Sequence, residues 1–510
     1  MQQITELGQL FMVGFDALSP NEHIAALIRE QRIGGVILFR RNVHTPQQLS
    51  ELCRQLQEIN AQVSSTPLLI ALDQEGGMVM RIEQGVTPMP AAMAYQAAGS
   101  EPDCETLHHI SADEMRQLGV NMLLAPVLDV NNNPLNPVIG VRAFGEDADT
   151  VIRYGMAALR GIQSSGMAAC AKHFPGHGDT CLDSHYAMDL VPHELARLHA
   201  VELRPFKAAI AQGVSAIMTA HVAFPAIEPD RTRPATLSQV VITDLLRGEL
   251  GFQGVVISDC LEMGAIANGV GVAAGAVASL QAGADIVLVS HQPERQRAAI
   301  AAVVAAAQGG QIAPQRLQNA LQHVRRLKQM PAVQDWRRLS ATSLRLRQAE
   351  ALALAQKVQS AALQVRGGFR PLNPSVPVAL ITVEVRSSSE IDEVALARNQ
   401  EPRSSMLEAL QVAGMQVSEY SLSAQALDDE VRGAIAFAAQ AQQIVLQTYN
   451  AALVQGQQRL IVALPQSRLW LVAWRMPQDL DLAPQAQGRL ASFGCRPAAL
   501  APVVEKLLEH

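Results

Sequence analysis

The chain lacks any concentration of positive charge. Its 510 residues hold 40 lysines and arginines against 47 aspartates and glutamates, a formal net charge of −7. That leaves no electrostatic footprint for a nucleic acid and no basic run for a membrane surface. Long apolar stretches are missing as well. "GGVILF" and "GVVIS" fall far short of the ~20 residues that span a bilayer. The opening "MQQITELGQLFMVGFD" has no basic leader and no apolar stretch before a small-residue cleavage site, so it does not read as a secretory signal. Six cysteines (Cys53, Cys104, Cys170, Cys181, Cys260, Cys495) lie scattered, without the paired spacing of a zinc knuckle or a disulfide framework. They read as reduced thiols of a cytoplasmic protein.

What is present is ample apolar material, 49% of residues with 17% charged, in a chain longer than one core usually organises. Eight short apolar segments recur, separated by helical stretches: 8–15, 34–39, 68–73, 122–129, 167–174, 216–221, 254–259 and 285–290. They are continuous rather than alternating, as in parallel strands buried on both faces. Eight strand–helix units predict a (β/α)8 barrel over residues 1–335, with a doubly wound sheet as the alternative. Asp73, Asp129, Lys172, His173, His221, Asp259 and Ser290 fall at strand C-terminal ends, the face on which such barrels build their sites. Residues 336–375 read as a helical segment and a turn-rich linker. Residues 376–510, with strands expected at 378–383, 442–449, 459–465 and 468–475, read as a smaller three-layer α/β/α sandwich.

Four stretches carry ionisable groups in suggestive places. "ISDCLEMGAI" puts Asp259 at a strand end, either aimed into the barrel mouth or capping a helix. "LDQEGGMVMRI" places Asp73 before a Gly-Gly turn and Arg81 beyond it, without the spacing of a phosphate-binding loop. "VLDVNNNPLNPVIGVRAFGED" is a long Asn/Pro-rich loop ending near Arg142, either shaping a pocket or forming a rigid surface excursion. "AKHFPGHGDTCLDSHYAMDL" gathers Lys172, His173, His177, Asp183 and His185. Asp183 and His185, two apart, share a side of an extended loop, where the carboxylate would orient the imidazole and stabilise its cation. A metal cluster of His173, His177, Asp183 and His185 is the other reading, although the spacing matches no common zinc motif.

Taken in order, "LDQEGG", "APVLDVNNNPLNPVIGVRAFGED", "AKHFPGHGDTCLDSH", "MTAHVAFPAI", "PATLS" and "GVVISDCLEM" resemble the motif series of glycoside hydrolase family 3, and within it the β-N-acetylglucosaminidase branch. The later part of the chain resembles, more loosely, the C-terminal sandwich domain of two-domain members. The resemblance implies a retaining, exo-acting β-N-acetylglucosaminidase with Asp259 as nucleophile and Asp183–His185 as the acid/base pair. Asp73, Arg81, Arg142, Lys172, His173 and His221 would hold the sugar. Cys260 stands where many members carry a second Asp. The implied substrate is a small carbohydrate, a cell-wall fragment joining N-acetylglucosamine to muramic or anhydromuramic acid, and the implied setting is cell-wall recycling in the cytoplasm. No cofactor, metal, nucleic acid or membrane partner is expected, and the chain is expected to act as a monomer. With aromatics at 4%, few rings are available to stack on a sugar. Three other readings stay open: a phosphorylase using the same site, a metal-dependent hydrolase, and a non-catalytic sugar-binding protein.

Overall fold

A computed structural model describes residues 6–181, 188–338, 344–383 and 406–509. All eight apolar segments expected as barrel strands contain one. They are β1 (Phe11–Val13), β2 (Gly35–Leu38), β3 (Leu69–Leu72), β4 (Met122–Leu123), β5 (Ala168–Phe174), β6 (Ala216–Thr219), β7 (Val255–Cys260) and β8 (Ile286–Val289). Each pairs in parallel with its sequence neighbours and β8 closes on β1, giving a complete barrel. The doubly wound alternative is excluded by that closure.

Helices between the strands follow from local chemistry. Pro46–Ala61 starts where the Thr45 hydroxyl accepts the Gln48 N–H, with proline in the first turn. Such a cap contributes ~1 kcal/mol. Leu49, Leu52, Cys53 and Leu56 then form its buried stripe. Ala148–Ser164 is capped in the same way by Asp147.

Two irregularities position the site. The β5–β6 register slips between Ala171 and Phe174, and the β7–β8 register between Ile257 and Cys260. Lys172, His173 and Asp259 fall inside these slips. Such bulges re-aim side chains at barrel rims.

Among the described residues the second domain holds a six-stranded sheet: β9 (Gln364–Val365), β10 (Val378–Val383), β11 (Val417–Leu422), β12 (Gln443–Thr448), β13 (Leu469–Ala473) and β14 (Gly488–Ala491). Their order is β9-β14-β13-β12-β10-β11, parallel except for β9 against β14. Its helices form two packed groups, Ala349–Ala362 and Met406–Val412 against Pro497–Leu508, and Asp428–Ala438 against Gln455–Ala463. The segment expected as a strand at 459–465 is instead the end of the helix Gln455–Ala463. Leu460 and Ile461 are buried while Val462 is 74% exposed, and a short apolar run does not separate a strand from a helix. Strands β9, β11 and β14 lie outside the expected segments; the edge strand β11, "VSEYSL", carries no apolar run because it is mostly polar and partly exposed.

The two domains share an apolar core. Met78, Ala91, Met93, Ala94 and Val141, all from segments that connect barrel strands, are buried in one cluster with Tyr449, Trp474 and Met476. Among the described residues no helix is long and apolar enough to cross a membrane.

Candidate active site

A cavity opens at the C-terminal end of the barrel. Asp73, Arg81, Arg142, Lys172, His173 and Asp259, six residues singled out from the sequence, line it together. Glu75, Phe39, Cys260, Met263 and His291 complete much of the wall.

Asp73 follows β3, and the chain then folds into a small hairpin, Gln74–Gly76 against Val79–Met80. The turn requires glycine. Gly76 and Gly77 have φ of +107° and +56°, and a Cβ on Gly77 would lie 2.5 Å from that of Ala91. The hairpin brings Arg81 Nη2 2.9 Å from Asp73 Oδ2. Lys172, from β5, sets Nζ 2.7 Å from both Asp73 Oδ1 and Glu75 Oε1. Arg142, from the Asn/Pro-rich loop, closes on Glu75 with two N···O distances of 2.8 Å.

Three cations thus share two carboxylates in a dry setting. Burial by itself would raise the Asp73 carboxyl, but the ammonium of Lys172 and the guanidinium of Arg81 outweigh it and hold it well below the usual carboxylate range. Burial likewise opposes ionisation of Glu75, and Arg142 with Lys172 bring it down to about 2. Lys172 is desolvated too, yet its two carboxylates raise it. All five groups stay charged at neutral pH and leave one net positive charge beside Asp259.

His173 is oriented from behind. Its Nδ1 lies 2.6 Å from Asp129 Oδ2, and Asp129 Oδ1 accepts the backbone N–H of His177 at 2.7 Å. Asp129 is fully buried, which would raise its carboxyl, but His173 and these hydrogen bonds lower it. With Nδ1 bonded to the carboxylate, His173 presents Nε2 to the cavity. His177 does not line the cavity. Its Nδ1 lies 2.8 Å from Thr180 Oγ1, and burial pushes the ring down to about 4.

Asp259 lies within β7, and the next helix starts only at Gly264 with Met263 at its N-cap. The helix-cap reading is therefore overturned. Its Oδ1 accepts the Cys260 N–H at 2.7 Å and the side chain is half-buried. Cys260 Sγ lies 2.8 Å from Ser290 Oγ. His221, expected on the sugar, is not among the lining residues. It is buried behind them, with Nε2–H donating to the Cys260 carbonyl at 2.9 Å, so it supports the strand carrying Asp259. Asp183 and His185 lie outside the described residues. The described ends of their loop are tied down: Asp179 pairs with His193, Asp189 accepts the Cys181 N–H at 2.6 Å, and Asn136 Nδ2 donates to the carbonyls of His177 and Gly178.

Among the described residues two groups of donors stand close enough to share a cation, Cys260–Glu262–His291 and Asp179–His193–Glu202, their ligand atoms within 4.8 Å of one another. Both are engaged within the protein. Glu262 accepts the N–H groups of His291 and Gln292, Arg41 lies 3.1 Å from His291 Nδ1, and Arg197 pairs with Glu202. The histidines of the sequence-based metal reading are likewise turned to other partners, His173 to Asp129 and His177 to Thr180.

The residues that sequence reasoning missed differ in kind. Glu75 had a signal, since it stands two positions from Asp73 in an extended stretch and so shares its side. Phe39 and His291 come from the loops after β2 and β8, and only barrel closure brings them to one wall.

Residues 4–327 match the family described as the glycosyl hydrolase family 3 N-terminal domain. A beta-hexosaminidase of Chromobacterium violaceum is 36% identical over 338 residues, which span 65% of this chain and 90% of that one. A beta-hexosaminidase of Stenotrophomonas maltophilia is 40% identical over 282 residues, 54% of this chain and 81% of that one. Among solved structures, a glycoside hydrolase family 3 beta-N-acetylglucosaminidase from a Paenibacillus species superposes with a TM-score of 0.91 at 42% identity, covering 99% of this chain and 96% of that one.

Proposed function

This chain belongs to glycoside hydrolase family 3 and is an enzyme of the β-N-acetylhexosaminidase class, and from that premise we propose that it releases terminal β-linked N-acetylglucosamine with retention, through a glycosyl-Asp259 intermediate. The observation that carries the reading is the meeting of Asp259 with Asp73, Glu75, Arg81, Arg142, Lys172 and His173 in one cavity.

Asp73 keeps lone pairs for sugar hydroxyls, and Arg81, Arg142, Lys172 and His173 supply fixed donors. The surplus positive charge favours an ionised Asp259, the state that attacks the anomeric carbon as the glycosidic bond breaks. A proton must reach the leaving oxygen, and a base must then take one from the attacking water. His185 with Asp183 fills that role in this proposal, on the strength of the family motif. An imidazole with a reference pKa of ~6.5 can act both ways near neutral pH. The same motif series supports a cell-wall disaccharide as the natural substrate and recycling in the cytoplasm as its setting.

The test incubates the enzyme with chromogenic β-N-acetylglucosaminide and β-glucoside, each with and without phosphate, and identifies the released sugar and its first-formed anomer. Free β-N-acetylglucosamine from the first substrate alone, with turnover reduced roughly 10³–10⁵-fold in Asp259→Ala, supports the reading. Sugar 1-phosphate makes the enzyme a phosphorylase. The α-anomer first, or near-normal turnover in Asp259→Ala, overturns the mechanism.

A further inference from the structure

None of the described residues lining the cavity comes from the second domain. Yet that domain grips both loops that carry the ion-pair clamp, and it does so with one arginine each, Arg475 buried and Arg496 partly so. Arg475 follows β13 and is 2% exposed. Its Nη2 donates to the Val138 carbonyl at 3.3 Å, and Arg142 Nη1 donates to that same oxygen at 3.3 Å. The backbone there is shaped to fit: Gly140 has φ +49°, and a Cβ on it would lie 3.3 Å from Arg475 Nε. The Arg475 guanidinium also lies over the Tyr449 ring, 5.7 Å from its centroid. Arg496, at the start of the helix Pro497–Leu508, donates to the carbonyls of Gly77 and Met78, the latter at 2.9 Å, and pairs with Glu83. Gly77 and Met78 form the turn of the hairpin that holds Glu75 and leads into Arg81. Tyr449 reaches the same turn, its hydroxyl donating to Met78 Sδ at 3.3 Å.

We propose that Arg475 and Arg496 are positioning residues for the reaction: the second domain sets the geometry of the Asp73–Glu75–Arg81–Arg142 clamp by fixing its two supporting loops. The proposal rests on the reading of the cavity as the sugar site. Apolar adhesion between the domains also reaches these loops through Met78 and Val141, but it carries no directional bond to a particular carbonyl. Here the hairpin turn is held two and three residues from Glu75, and one carbonyl is shared with Arg142 itself. Charge-assisted hydrogen bonds to buried carbonyls are directional and strong, and a clamp made of ion pairs tolerates little displacement.

The test uses the full chain with Arg475→Met, Arg475→Lys, Arg496→Met, Arg142→Lys and the double variant Arg475→Met/Arg142→Lys. Kinetics on the chromogenic N-acetylglucosaminide are read beside Tm. Lys357→Met is the control, since it breaks a cross-domain ion pair to Asp103 of 2.7 Å away from the clamp. The expected result is a roughly 10–100-fold fall in kcat/KM for Arg475→Met and Arg496→Met, partial recovery in Arg475→Lys, and no change in Lys357→Met. The double variant should be little worse than Arg142→Lys alone, because residues acting through one contact are not additive. Folded Arg475 and Arg496 variants with normal kcat/KM, or a double variant whose losses multiply, overturn the proposal. Normal kcat/KM in Arg142→Lys overturns the clamp itself. If Arg475→Met does not fold, Arg475→Lys and Arg496→Met carry the test.

Discussion

Glu75 and Arg142 form a two-pronged ion pair, both N···O distances 2.8 Å, with side chains 5% and 4% exposed. The same Glu75 carboxylate takes Lys172 at 2.7 Å. One side chain therefore neutralises cations delivered by two different barrel elements, and its loss would leave both buried without it.

Glu75→Gln keeps the shape and removes the charge. Breaking one side of a buried pair costs about 3–5 kcal/mol, and kcat/KM should fall roughly 100-fold as Arg142 and Lys172 relax. The pH dependence has a definite sign. The folded carboxyl sits at about 2, below its ordinary value of ~4.3, so its stabilisation is complete above the ordinary value and is lost as pH falls toward 2. Tm measured from pH 6 to pH 2 should fall less steeply in Glu75→Gln than in the native protein. Parallel curves would show that Glu75 is not held ionised by the fold.

His221 tests support of Asp259, the proposed nucleophile, from behind. Its Nε2–H bonds the Cys260 carbonyl, one residue beyond Asp259, while the ring stays off the cavity wall. His221→Ala should lower kcat roughly 10–100-fold through displacement of Asp259 and leave KM within about threefold, a change much smaller than that in kcat. A rise in KM with kcat unchanged would mean that His221 contacts the sugar after all.

Lys328 lies far from this chemistry, buried, with Nζ donating to Gln9 Oε1 at 2.8 Å. Burial pushes it down to about 7, below its ordinary ~10.4. The unfolded chain then binds the extra proton between those values, so this residue costs stability at neutral pH and the cost fades as pH rises toward 10. Lys328→Met should raise Tm at pH 7, with a smaller gain at pH 10. An equal or larger gain at pH 10 would refute the assignment.

Much of the site was legible because its residues sit where apolar runs end. Asp73, Lys172, His173 and Asp259 each close a strand-like segment, and a barrel gathers such ends on one face. Glu75 was legible in principle from its alternation with Asp73. Asp129 was visible as a strand-end carboxylate, but its partner His173 lies 44 residues on, and only the adjacency of β4 and β5 reveals the pair. In the second domain the helix Gln455–Ala463 reads locally as a strand, because the five apolar residues Leu460–Leu464 fit either period.

The sequence alone laid out eight strand–helix units, the strand ends that bear the candidate site, and most of the ionisable groups on them, while the closure that excludes an open sheet came from the structure. The former follow from local hydrophobic period and from which residue ends each strand. Tertiary structure decided the pairing. Whether Asp259 caps a helix or faces a cavity, which carbonyl His221 bonds, and which loops Arg475 and Arg496 hold all depend on distances between segments remote in sequence. Those distances are set by barrel closure and domain docking, and no local pattern encodes them.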